Sequence, residues 1–139
     1  MESLAVAVAV QVACQLFKAV FYSIARGRLE LHRLVSAGGM PSAHAAFVTA
    51  LSVSVGLRAG FRSELFAVSA VFSLIVIYDA YRLRGTVERH ARAINALAAA
   101  HPGVAPADHS DLVGHTLPEI AAGMAAGGGL SALAWLLLR

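Results

Sequence analysis

Two short segments carry the residue types that phosphate chemistry uses: Pro41-Ser42-Ala43-His44 and Gly114-His115-Thr116-Leu117-Pro118-Glu119. Each opens an apolar run and so reads as a helix N-terminus. Such an end has backbone N–H groups without helical acceptors and the positive end of the peptide dipole, which together favour an anion. Each segment also brings a histidine, His44 and His115. An imidazole can attack phosphorus through one ring nitrogen while a carboxylate holds the other. Glu119 lies four residues after His115, about one helical turn away, within reach of that ring.

Plainer readings stand beside these. Ser42 fits a helix N-cap, with His44 as an interfacial residue of the first turn. Thr116 and Glu119 have the spacing of a capping box, and Pro118 suits a first turn. Glu119 therefore either closes the helix end or orients His115, and serves both only if its carboxylate has two partners. Asp79 ends the most apolar run and is followed by Arg82 and Arg84. An ionisable group in a membrane segment marks a functional site by default, and an Asp79–Arg82 helix pair is the alternative. Lys18, in the first apolar run, either snorkels to the interface or binds phosphate at the mouth of the site. His44, His115, Glu119 and Asp79 could form a His/carboxylate metal set. No pair among them has zinc-motif spacing, so no metal or other cofactor is expected. His32, His90, His101 and His109 read as loop histidines.

The elements that must position these residues follow from composition. The chain has 139 residues; 58% are hydrophobic, 14% are charged, and mean hydropathy is +0.70. Soluble domains average about 45–50% apolar and about 25% charged residues. Disorder is excluded by this apolar content. An intrachain disulfide is excluded because Cys14 is the single cysteine. The net charge of +3 does not indicate nucleic-acid binding. Ten of the eleven basic residues are arginines, which lie between or at the ends of apolar runs, where membrane-protein loops sit, and form no stripe with aromatics.

A membrane-spanning helix needs about 20 mainly apolar residues. The runs predict an all-α integral membrane bundle of about four transmembrane helices, forming one domain over residues 1–139. The spans are about 4–25, 43–57, 64–81 and 118–138. The first contains Gln11, Gln15 and Lys18; it lacks a basic leader and reads as a retained helix. A long loop is expected over 82–116. Its alanine-rich half, Thr86 to Ala100, either extends the third helix or lies on the bilayer. Pro102, Gly103 and Pro106 make the following stretch irregular. Loops one and three carry Arg26, Arg28, Arg33, Arg82, Arg84, Arg89 and Arg92, against Arg58, Arg62 and Arg139 on the other side. The excess places both histidine segments at the cytoplasmic face. Gly123 and Gly127 form a G-x-x-x-G pattern that either packs within the bundle or joins two chains in a homodimer.

Gly38-Gly39-Met40-Pro41-Ser42-Ala43-His44, Ile77-Tyr78-Asp79-Ala80 and Gly114-His115-Thr116-x-x-Glu119, in this order, resemble the divergent type-2 phosphatidic acid phosphatase family. Its members are also labelled acid phosphatase/vanadium-dependent haloperoxidase-related. The resemblance runs from about Gln15 to Gly127 and implies a reduced form of the phosphatase core in a bacterial inner membrane. It implies that His115 attacks phosphorus, Glu119 orients His115, and His44 protonates the departing oxygen. Ser42, Ala43 and nearby backbone N–H groups would hold the phosphoryl oxygens, with Lys18 as a phosphate ligand. The implied substrate is a lipid-linked phosphate monoester or diphosphate. A vanadate-dependent oxidase on the same pocket is a more distant implication.

The wider superfamily carries K-x6-R-P, P-S-G-H and S-R-x5-H-x3-D, and this chain departs from all three. Ala25 stands where the first arginine belongs, and Arg26 follows one position later without a proline. Ala43 replaces the glycine. His109 replaces the arginine before His115, and Glu119 replaces the final aspartate. Arg82 and Arg84 are the candidate replacements for the displaced arginines. A non-catalytic protein that binds a phosphate-bearing lipid is the alternative reading.

Overall fold

The computed structural model describes residues 2–30, 34, 39–101, 103, 105–106 and 115–138, with the side chains of residues 83, 84 and 88 outside that description. Gly38, Gly114 and His109 lie outside the described residues. Those described form an all-helical membrane bundle. Helix α1 runs Glu2–Arg26, α2 Ala43–Ala59 and α3 Glu64–Tyr78. A π-helical turn, Asp79–Leu83, leads directly into α4, Arg84–Ala100; α5 is Leu117–Leu137. The stretch expected as a long loop is thus helical as far as Ala100, and its alanine-rich half extends the third helix.

Three continuous helical runs are long and apolar enough to cross a membrane: Glu2–Arg26, Glu64–Ala100 and Leu117–Leu137. The middle run has 37 residues. At about 1.5 Å per residue it is about 55 Å long, well beyond a hydrocarbon core of about 30 Å. Its polar second half, with Arg89 and Arg92, therefore extends past the core. Helix α2 has 17 residues. It is the central helix, packing against α1, α3 and α5, which explains how so short a helix sits in the bundle.

The packing is that of a membrane protein: small residues lie inside and large ones outside. Buried positions on α2 include Ala43, Ala46, Ala50, Ser52 and Ser54, while Leu65, Val68, Leu74 and Leu133 on α3 and α5 are exposed. Lipid offers no hydrophobic drive for helix pairing, so close backbone approach and interhelical hydrogen bonds hold the bundle. Ser69 and Ser73, the two polar interruptions of α3, are buried. The Ser73 and Ser52 hydroxyls are 2.7 Å apart, and Ser73 Oγ also lies 2.9 Å from the Val48 carbonyl. Across the other face of α2, Ser131 donates to the Ala50 carbonyl at 3.2 Å.

The glycine pair of α5 lies against α2 in the same chain. A Cβ on Gly123 would run into the Ser42 carbonyl, and one on Gly127 into that of Ala46. The next glycines, Gly128 and Gly129, face open space. Gly127→Val is therefore expected to destabilise the bundle by about 1–3 kcal/mol through overpacking. Gly128→Ala is expected to be neutral or to stabilise it by up to about 1 kcal/mol. Paired thermal melts in detergent check this: equal melting temperatures would contradict the assigned contact.

Candidate active site

The site is built at one end of the bundle, where α2 and α5 begin. Gly39 turns the chain into α2 with φ +79°, a left-handed conformation that favours glycine, and it packs against the Tyr22 ring. The Met40–Pro41 peptide is cis. Ser42 is then the N-cap: its Oγ accepts from the Ala45 N–H at 3.3 Å. Ser42 and Ala43 are fully buried. The Ser42 N–H donates to the Glu119 carbonyl at 2.9 Å, which ties the two helix starts together. Among the groups expected to hold phosphoryl oxygens, the Ser42 N–H is thus committed to α5. The Ala43 N–H is one the helix itself does not use.

On α5, Thr116 and Glu119 form a capping box, with Pro118 in the first turn. The Glu119 Oε2 accepts from the Thr116 N–H at 2.9 Å and lies 3.3 Å from His115 Nδ1. Capping and contact with the imidazole therefore coexist on one oxygen. His115 is 4% exposed, whereas the Glu119 side chain retains 21% exposure. The rings of half-buried His44 and buried His115 have centroids 6.3 Å apart and are tilted by 59°. Both rings can reach one phosphoryl group at that spacing.

Lys18 is only 2% exposed, on the same side of α1 as Cys14, facing the bundle interior rather than lipid. Snorkelling therefore does not describe it. Asp79 opens the π-helical turn and is half-buried. Arg82, in the same turn, is exposed and is not brought against the histidine pair among the described contacts. The side chain of Arg84 lies outside the described residues. Among the described residues, no group of three His, Cys, Asp or Glu side chains could hold a metal ion.

Two features had no local signal. Arg26 and Arg28 are both paired with the buried carboxylate of Glu30, at 3.4 and 2.8 Å. Arg26, one place from the position the resemblance reserves for an arginine, thus holds the end of α1 to the following turn. The other feature is the π-helical turn, whose Ala80 carbonyl accepts from the His115 N–H at 3.2 Å.

The order of these segments along the chain is matched by a family model, described as Divergent PAP2 family, over residues 1–130. The chain belongs to the Divergent PAP2 family. It is also 43% identical over 83 residues to the uncharacterized membrane protein YuiD of Bacillus subtilis (strain 168). That match covers 60% of this chain and 52% of the relative, so it spans about half the length of the curated relative. No solved structure matches. Family and fold together establish a membrane protein in which the histidine pair, Glu119 and Ser42 are gathered at adjoining helix starts.

Proposed function

We propose that this Divergent PAP2 protein is a membrane phosphatase acting on a lipid-linked phosphate monoester or diphosphate through a phosphohistidine. The observation that carries the reading is the Glu119 oxygen shared between the Thr116 N–H and His115 Nδ1, with the His44 ring opposite. With Nδ1 protonated toward Glu119, the Nε2 lone pair attacks phosphorus. The bond from phosphorus to the lipid oxygen breaks, and His44 gives that oxygen its proton. Water then attacks the phosphohistidine, His44 takes the water proton, and phosphate leaves as the P–N bond breaks. Catalysis of this kind rests on positioning and charge neutralisation. Lys18, Ser42, Ala43 and the two helix ends are the groups assigned to the phosphoryl oxygens. The arginine asymmetry between loops supports a site at the cytoplasmic face of a bacterial inner membrane.

A crevice of about 510 Å³ supports a lipid substrate. It lies between α3 and α5, lined by Leu74, Ile75, Tyr78, Tyr81, Leu117 and Ile120, and adjoins the first turn of α5 in sequence. A hydrocarbon chain fits such a surface. Long-chain phosphatidate is expected to exceed glycerol phosphate in kcat/KM by about 100-fold, the equivalent of burying about three methylenes.

The test is phosphate release by the purified protein in detergent from a panel of lipid phosphates, without added metal, with and without vanadate. Release blocked by vanadate is expected. A second reading, phosphate-lipid binding without turnover, is favoured by the exposure of Arg82. Saturable binding of a lipid phosphate with no release from any member of the panel would establish it instead.

A further inference from the structure

We infer that the π-helical turn is a positioning device for His115, acting through the main-chain carbonyl of Ala80. The inference rests on the assignment of His115 as the nucleophile for its catalytic consequence, but not for its structural content.

The rod from Glu64 to Ala100 is α-helical except at Asp79–Leu83, where the pairing widens to five residues. Such insertions are uncommon and often occur at functional sites. Where a helix returns from five-residue to four-residue pairing, one carbonyl is passed over. A buried carbonyl without a partner is costly, so it needs an external donor. Ala80 is 2% exposed, and its carbonyl accepts from the His115 N–H at 3.2 Å. His115 immediately precedes the N-cap of α5 and has no acceptor within its own helix. The widened turn supplies that acceptor. His115 is then fixed at two points: its main chain by Ala80 and its Nδ1 by Glu119, 3.3 Å away. Thr116, bound to the same carboxylate, closes the arrangement. Regular α-helix pairing at the turn would direct the Ala80 carbonyl along its own rod.

The geometry suits removal by a single deletion. A π-helical turn is equivalent to one extra residue in an α-helix. Deleting Leu83 restores four-residue pairing and returns the Ala80 carbonyl to its own helix. Among the described residues α4 has no extensive contact with α1, α2 or α5, so moving it leaves the contacts among those three helices in place. Deleting Ala96, inside α4, shortens the rod equally and leaves the turn untouched.

Three readouts on full-length protein in detergent test the inference. In the wild type, the His115 amide is expected to exchange with deuterium at least about tenfold more slowly than the Leu117 amide, which has no helical acceptor. In the Leu83 deletion that protection disappears and the His115 ring nitrogen resonances shift, whereas the Ala96 deletion leaves both unchanged. Phosphate release by the Leu83 deletion is expected to fall about 100-fold in kcat, the scale of a misplacement of about 1 Å, with KM within about twofold. Exchange at His115 as fast as at Leu117 would overturn the inference even if the deletion variant did not fold. So would a folded Leu83 deletion with unchanged ring resonances and kcat. A wild type inactive on every substrate would defeat the phosphatase reading while the exchange and resonance data still decided the role of the turn.

Discussion

His115→Ala is expected to abolish phosphate release, by at least about 1,000-fold in kcat, because the covalent route through the imidazole is lost. The loss should be the same for every substrate, since the step removed is the attack on phosphorus. The fold is expected to survive. The substitution keeps the main-chain N–H that binds the Ala80 carbonyl, and Glu119 keeps its bond to the Thr116 N–H. Truncating a buried imidazole still leaves a cavity, so a fall of a few degrees in melting temperature is anticipated. The check pairs a phosphate-release assay with a thermal melt. Activity within about tenfold of wild type would remove His115 from the reaction.

The second large effect is expected from His44→Ala, and it depends on the leaving group. A general acid contributes roughly 100- to 10,000-fold when the departing oxygen is a poor leaving group. A lipid alkoxide is poor, so its release should fall by that factor. A nitrophenolate leaves without protonation, so nitrophenyl phosphate turnover should fall by less than about tenfold in the first step. The His44 and His115 rings lie close enough to act on one phosphoryl group, yet His44 is not the ring held by Glu119. That asymmetry is why the two variants should differ. Equal losses on both substrates in that first step, read as the burst of alcohol or nitrophenolate, would give His44 a binding role or a purely structural one.

Much of this architecture was legible in the sequence because local rules and tertiary packing agree. Ser42 caps α2 as its residue type and the following apolar run suggest. Ser73, a break in an otherwise lipid-facing run, points to a neighbour that can satisfy a hydroxyl, Ser52 and the Val48 carbonyl of α2, while Ser69 donates to the Phe66 carbonyl of its own helix. The Gly123/Gly127 pattern left two destinations open, and the packing against Ser42 and Ala46 selects the one within the chain. Glu119 also left two readings open, and a single carboxylate oxygen serves both.

The parts that could not be read depend on distant partners. The chain from Tyr78 to Leu83 has no Pro or Gly to announce a helical irregularity, and its acceptor is used by a residue more than thirty positions away. Glu30 looks like an ordinary loop carboxylate until Arg26 and Arg28 fold over it. The family resemblance makes Arg82 a candidate phosphate ligand in place of a displaced motif arginine. The phase of the helix through the π-helical turn, invisible in spacing alone, leaves it exposed. The burial of Lys18 follows from its sharing a face with Ala7 and Cys14, both packed toward the centre.

The central claim is that phosphorus becomes bonded to His115, and the most direct measurement is to trap that bond. Purified protein would be mixed with a lipid phosphate carrying radioactive phosphorus and quenched within a single turnover. The labelled peptide would then be mapped by mass spectrometry. The account predicts an acid-labile, base-stable label on His115 in the wild type and in His44→Ala, and none in His115→Ala. Phosphate release with label on another residue, or with no covalent label at any quench time, would contradict it.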